Sequence, residues 1–363
     1  MIKMYDFKSQ YLGIKDKIDC SIQKVLNDSA FSNGKYVQIF EKSFSDYLCS
    51  NHCVAVNNGT SALHLALMAL DIKQGDEVLV PSFSFFATCE AVSLTNAQPI
   101  FVDSEYDSFN LDLKDLESKI TKNTKVIICV HLYGNPCKMD KITEIAKKYD
   151  LKVIEDAAQA HGAEFNNTKI GNFSDFACFS FYPTKNLGAY GEGGAIVTNS
   201  NVNHQKLVSL RNHGSSEQYK HEFIGHNYRM SGFQGSILSV KLEYLDKWNT
   251  IRINNAKLYN TLLKNIDEIQ TPNTHKHLKH VFHQYVIKAK TRDELKNYLN
   301  KHDIDSGIYY PIPCHLQKPY LHTKTKAPIA EKLSHEVLAL PISEHLNEDN
   351  IKYIAKTISK FYV

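Results

Sequence analysis

The chain has 363 residues, 43% hydrophobic and 22% charged with only 16 glycines; this supports a large folded core and excludes disordered, collagen-like and coiled-coil chains. Lysine and arginine number 42 against 39 acidic residues, a balance of +3 that cannot spread a continuous positive field over nucleic acid or an acidic membrane. A small-molecule ligand is therefore favoured, and the length points to two domains.

The opening residues, MIKMYDFKSQYLGIKDKI, lack the apolar stretch of a signal peptide, and no run approaches the ~18 apolar residues of a membrane span. Eight cysteines (Cys20, Cys49, Cys53, Cys89, Cys129, Cys137, Cys178 and Cys314) are scattered without a CxxC pair, so neither a zinc site nor a disulfide framework is signalled. A cytoplasmic protein with reduced thiols and no metal is expected.

From Cys53 to Asn199, short apolar runs alternate with longer mixed segments, as in an α/β fold. The expected strands are Val54–Asn57, Glu77–Pro81, Pro99–Asp103, Lys125–His131, Lys152–Asp156, Phe176–Phe181 and Gly194–Asn199. Several are apolar at consecutive positions, which marks strands covered on both faces of a mostly parallel sheet. Helical spacing appears in Ser61–Leu70 and, more weakly, in Ile142–Tyr149. Beyond Asn199 come long polar helical stretches such as Gly235–Asn265, then a Thr/Pro/His-rich segment, Thr271–Lys279. The tail offers a strand at Val281–Ala289, a helix at Arg292–Lys301 and a last helix after Glu348, a compact α+β pattern. The expected domains are residues 1–254, with an N-terminal arm, and residues 255–363.

Ligands of open α/β sheets sit at the carboxyl ends of the strands, and four strand exits carry suitable residues. Asn57-Asn58-Gly59-Thr60-Ser61 opens a helix whose free N–H groups could hold a phosphate; a cap by Thr60 or Ser61 is the plainer alternative. Glu155 and Asp156 end a strand, where a carboxylate could keep a heteroaromatic nitrogen protonated; a cap, or a pairing with a structural lysine, is the alternative. Lys185 follows another strand and precedes a loop holding Gly188, Gly191, Gly193 and Gly194, so it is suited to attack a carbonyl; a surface lysine before an ordinary glycine turn is the plainer alternative. Phe83, Phe85 and Phe86 leave the Glu77 strand, and one ring could stack on a planar cofactor, the alternative being that all three belong to the core.

Together, EDAAQAHGA and SFYPTKNLGAYGEGGA, with FKSQY near the start and YYPIPCHLQKPY near the end, make the chain resemble the DegT/DnrJ/EryC1/StrS family of pyridoxal-phosphate-dependent sugar aminotransferases over nearly its whole length. The resemblance implies a fold-type I architecture, a large domain built on a mostly parallel sheet and a smaller α+β C-terminal domain. It implies that Lys185 binds pyridoxal 5′-phosphate covalently; dehydratase relatives carry histidine there, so lysine speaks for amino transfer. Asp156 would pair with the pyridinium nitrogen and Gln159 would lie near the ring hydroxyl. Phe85 would pack on the ring, and Gly59, Thr60, Ser61 and Ser180 would hold the phosphate. Asn227 would reach the phosphate of a neighbouring subunit, which implies a homodimer with shared active sites.

The same resemblance makes Arg229, Tyr309, Tyr310 and His315 candidates for the sugar nucleotide; ordinary packing is the alternative for each. Its expected reaction moves an amino group from glutamate to a nucleotide-linked keto-sugar, with pyridoxamine 5′-phosphate formed midway, in deoxyamino-sugar or polysaccharide biosynthesis. Gln159 stands where many C4-specific relatives carry histidine, and YPIPCHLQ is similar to C3 enzymes, so C3 is preferred and C4 left open. A noncatalytic regulatory relative should lack Lys185 or Asp156, and neither is missing. A plain dinucleotide-binding fold would need G-x-G-x-x-G after the first strand, where it is absent.

Overall fold

The computed structural model of the protein describes residues 1–273 and 276–362. Seven strands form one sheet in the order His52–Val56, Gly194–Thr198, Phe176–Ser180, Lys152–Asp156, Thr124–Val130, Glu77–Pro81, Gln98–Val102. Gly194–Thr198 runs against both neighbours, and the other pairings are parallel. Each of these seven strands lies within two residues of its expected limits, whereas the strand expected at Val281–Ala289 begins only at Tyr285.

Consecutive apolar residues in these strands feed two different cores, because side chains alternate across a sheet. Cys53, Ala55, Ile127 and Cys129 enter one core, which is roofed by the helices Lys35–Leu48 and Met139–Lys148. Val54, Val56, Val126 and Ile128 enter the other, beneath the helices Gly59–Ala69, Ala87–Leu94 and Asn201–Arg211. Phe44 shows how tightly the first core is filled. Fully buried, its ring stands edge-on to Phe179 at 5.0 Å and Phe181 at 5.3 Å and stacks on Phe40 at 5.5 Å. Truncating such a side chain to alanine costs about 3–5 kcal/mol.

The expected helical stretch Gly235–Asn265 is two helices, Gly232–Leu242 and Leu245–Leu263. The second runs unbroken through residues 254 and 255. Trp248 packs with Ile14, Ile18 and Ile237, whereas Ala256, Tyr259 and Leu263 join a separate C-terminal core. That core fills the space between a three-stranded antiparallel sheet (Ile269–Gln270, Tyr285–Ala289, Val337–Leu340) and the helices Arg292–Lys301 and Glu348–Tyr362. Of the expected segment Thr271–Lys279, Thr274 and His275 lie outside the described residues, and Leu278–Lys279 pairs with Glu164–Phe165.

The start of the chain is sewn onto this C-terminal unit. Ile2 exchanges backbone hydrogen bonds with Asp303 and Asp305, and the Ser343 hydroxyl donates to the Met4 carbonyl at 2.6 Å. Among the described residues, no helix is long and apolar enough to cross a membrane.

Candidate active site

The carboxyl ends of the parallel strands surround a cavity of about 700 Å³. Gly59, Thr60, Phe85, Asp156, Gln159, Ser180 and Lys185 line it from the sheet side, and Tyr309 and Tyr310 from the C-terminal half. Nine of the thirteen site residues named from sequence therefore share one space.

At one end, the helix Gly59–Ala69 points its amino terminus at the cavity. Asn58 is the cap, its carboxamide oxygen accepting the Ser61 N–H at 2.8 Å, so neither Thr60 nor Ser61 plays that part. A methyl group at Gly59 would come 2.7 Å from Ser180 Cβ, and one at Gly194 would come 2.3 Å from the Asn58 carbonyl. Both distances are below any real contact, so glycine is what allows the helix start to press against Ser180. The resulting cradle of free N–H groups and two hydroxyls suits a phosphate.

On the floor, Asp156 is buried while Glu155, the adjacent carboxylate, faces the opposite side of the sheet. Glu155 is consumed there by structure: it accepts from the Gly171 and Phe173 N–H groups and the Ser174 hydroxyl, and lies 3.1 Å from His131 Nε2. Asp156 accepts from the Thr88 hydroxyl at 2.8 Å and the Ala158 N–H at 3.2 Å. Burial pushes its pKa up, while those two donors and the nearby Lys185 charge pull it back. For Lys185, burial dominates and lowers the amine to about 8 against the opposing pull of Asp156. An amine so placed is in part unprotonated near neutrality and able to act as nucleophile or base.

Above the floor, Gln159 accepts the Tyr133 N–H at 2.6 Å and donates to the Tyr310 hydroxyl at 3.2 Å, tying the strand exit to the Tyr309–Tyr310 segment. The Phe85 ring remains 57% exposed, facing Tyr310 at 5.9 Å, which leaves an aromatic face free to cover a planar group. Phe83 is buried, and Phe86 packs against Tyr320. A flat ring with a ring nitrogen, an aldehyde and a phosphate fits this set of carboxylate, amine, aromatic face and glycine cradle.

Four expected residues are not brought to this cavity. Ser61 is buried in the first turn of its helix. His315 is also buried, 3.3 Å from Glu331 and against the Phe101 ring. Arg229 donates to the Asn212 side chain, and its backbone bridges to Val56. Asn227 is exposed, its backbone paired with that of Asn212. Conversely, Tyr5, Thr184, Glu192, His283 and Gln284 line the cavity without having been named from sequence. Thr184 and Glu192 lie inside the glycine-loop motif and could have been read from it. Tyr5 and His283 come from the chain start and the C-terminal unit, and no local pattern marks them.

The family model for the DegT/DnrJ/EryC1/StrS aminotransferase family matches residues 13–359. A protein of Acidithiobacillus ferrooxidans named UDP-N-acetyl-3-dehydro-alpha-D-glucosamine 3-aminotransferase is 42% identical over 99% of this chain and 97% of its own length. A pleiotropic regulatory protein of Geobacillus stearothermophilus is 40% identical over 99% and 98%. Among solved structures, DesV of S. venezuelae in complex with a ketimine intermediate superposes with a TM-score of 0.97 at 37% identity, covering 99% of this chain and 98% of that one. A Bacillus subtilis protein with bound cofactor PMP gives 0.90 at 33% identity, covering 95% and 81%. With its sheet, cleft lysine and strand-end carboxylate in place, the chain belongs to the DegT/DnrJ/EryC1/StrS aminotransferase family.

Proposed function

We propose that this aminotransferase uses pyridoxal 5′-phosphate to move an amino group from glutamate to C3 of a nucleotide-linked keto-sugar. The observation that carries the reading is Lys185 and Asp156 lining one cavity at the foot of the Gly59–Ser180 cradle. When bound, the cofactor supplies an aldehyde for covalent attachment and an electron-withdrawing ring for the electrons left when a C–H bond breaks. Gly59, Thr60 and Ser180 bind the phosphate, and Asp156 keeps a proton on the ring nitrogen through a charge-assisted hydrogen bond. Phe85 covers the ring face and excludes water. Lys185, with its amine free, would take the proton from the carbon that bears the donor nitrogen and hand it back on the other side of that nitrogen.

Two features support C3. Gln159 stands where, by the family resemblance, many C4-specific relatives carry histidine, and the 42% identical relative is named a 3-aminotransferase. A regulatory role, as in the name of the Geobacillus protein, would not need both Lys185 and Asp156 in the cleft. We also propose a cytoplasmic homodimer with shared sites, since Asn227 lies outside its own cavity on an exposed segment beside the outward-facing Phe223 and Ile224.

A panel of 3-keto and 4-keto sugar nucleotides carried by UDP, dTDP and GDP, incubated with glutamate, tests the reaction. Amination at C3, read by mass and by NMR of the aminated carbon, is expected; amination at C4 alone would refute the regiochemistry, and inertness toward the whole panel would refute the substrate class.

Because Lys185 titrates at about 8, the rate at which cofactor-free protein captures pyridoxal phosphate should climb about tenfold per pH unit and level off above that point. The sign follows from the neutral amine being the reactive form. A profile still rising past pH ~10, as for an ordinary lysine, would contradict a buried nucleophile.

Asn227→Ala should weaken cofactor retention about tenfold or more, the worth of one hydrogen bond to a charged group, measured by dialysis of the holoprotein. Unchanged retention would count against the shared site.

A further inference from the structure

His283 is a cavity-lining side chain that the chemistry above leaves unused. It sits at the end of a chain of amides whose direction is fixed at both outlets. Asn249 donates through Nδ2 to the His161 carbonyl at 2.8 Å, so its Oδ1 is an acceptor. Asn186 donates through Nδ2 to that Oδ1 at 2.8 Å and to the Val281 carbonyl at 3.1 Å. Carbonyls only accept, so neither amide can be flipped without losing these bonds. Asn186 Oδ1 is left as the acceptor that faces His283 Nδ1 at 3.2 Å.

His283 Nδ1 must therefore carry a proton. The imidazole is then either neutral, with a lone pair on Nε2, or doubly protonated. Burial first, then the charges of Lys185 and Arg252 and the neighbouring His161, push its pKa well below the usual histidine range, so the ring is neutral. Arg252 also fixes the main chain here, donating to the Phe282 and His283 carbonyls at 3.4 Å. Nε2 has no hydrogen-bond partner among the described residues, and the ring borders the cavity.

We propose that His283 is a specificity-determining residue whose Nε2 accepts a hydrogen bond from a hydroxyl of the sugar ring. This rests on the sugar-nucleotide reading above. The two substrates differ in what they can offer a lone pair. Apart from the amino group that reacts, glutamate presents only carboxylates, which accept, whereas a hexose presents hydroxyl donors. A fixed acceptor thus favours the sugar and gives nothing to the carboxylates of glutamate. Locking by Asn186, the residue after Lys185, holds that acceptor in register with the reacting amine.

Two substitutions separate the acceptor from the anchor. His283→Asn can keep a donor toward Asn186 but has nothing in the place of Nε2. His283→Gln can return an oxygen to that place. Wild type and both variants, as holoenzymes, are followed spectroscopically in the two half-reactions separately: with glutamate, and with the amino-sugar nucleotide that wild type turns over in the panel. The Asn variant should need about tenfold more sugar nucleotide for half-saturation, with the glutamate half-reaction within about twofold of wild type. The Gln variant should recover most of the loss. Equal slowing of both half-reactions by the Asn variant would show that His283 only props the Lys185 loop; no change, or a Gln variant as weak as Asn, would also overturn the acceptor role. A wild type that processes glutamate but no sugar nucleotide would fail the substrate reading itself, and the hydroxyl assignment with it.

Discussion

Burial of an amine and a carboxyl in one cleft is the tension around which the structure is arranged. Alone, each would be driven toward its neutral form, Lys185 down in pKa and Asp156 up, and each partly restrains the other. Their proximity is a consequence of sheet register. The strand ending at Asp156 pairs in parallel with the strand Phe176–Ser180, Asp156 opposite Cys178, and the chain then turns to present Lys185 over the same edge. Thr88 and the Ala158 N–H complete the carboxylate's partners, so its burial is compensated without a salt bridge that would fix the amine.

Backbone crowding at the strand ends makes the rest possible. The glycines at positions 59 and 194 let a helix start, a strand start and Ser180 converge. At Gly188 a methyl group would fall 2.3 Å from the Pro183 carbonyl, so the Lys185 turn closes just as tightly. The fully buried Lys241 donates its ammonium to the Gly188 carbonyl from below, and burial lowers that amine too, to about 8. A dense floor built from backbone is rigid, and rigidity is what positions a reacting amine. The opposite wall is of other stuff: Tyr5, His283, Gln284, Tyr309 and Tyr310 come from the chain start and the C-terminal unit. Under the proposed reaction, chemistry common to all substrates would sit on the sheet and recognition on the covering elements.

What could be read in advance follows the same division. The seven strands were legible because a strand buried on both faces has an unbroken apolar run, as in Val126–Val130. Asp156, Lys185 and the glycine cradle were legible because each follows such a run within a few residues. The helix Lys35–Leu48 went unnoticed although Val37, Phe40, Phe44 and Leu48 repeat at helical spacing, a stripe the structure buries against the sheet. Asn58, not Thr60 or Ser61, caps the next helix; all three are cap-forming types, and only the backbone turn selects among them. His283 was invisible for a deeper reason. Its role depends on Asn186 and Asn249, residues 97 and 63 positions apart along the chain in their respective bonds, and no local pattern encodes such a relay.

Under the proposed function one particular amine, among the many lysines of this chain, would hold the cofactor. Borohydride reduction of the holoprotein, followed by proteolysis and mass mapping, examines it most directly. A pyridoxyl group on the peptide carrying Lys185 and on no other lysine is the predicted result; the group on a different lysine, or no covalent label in protein that retains the cofactor, would contradict it.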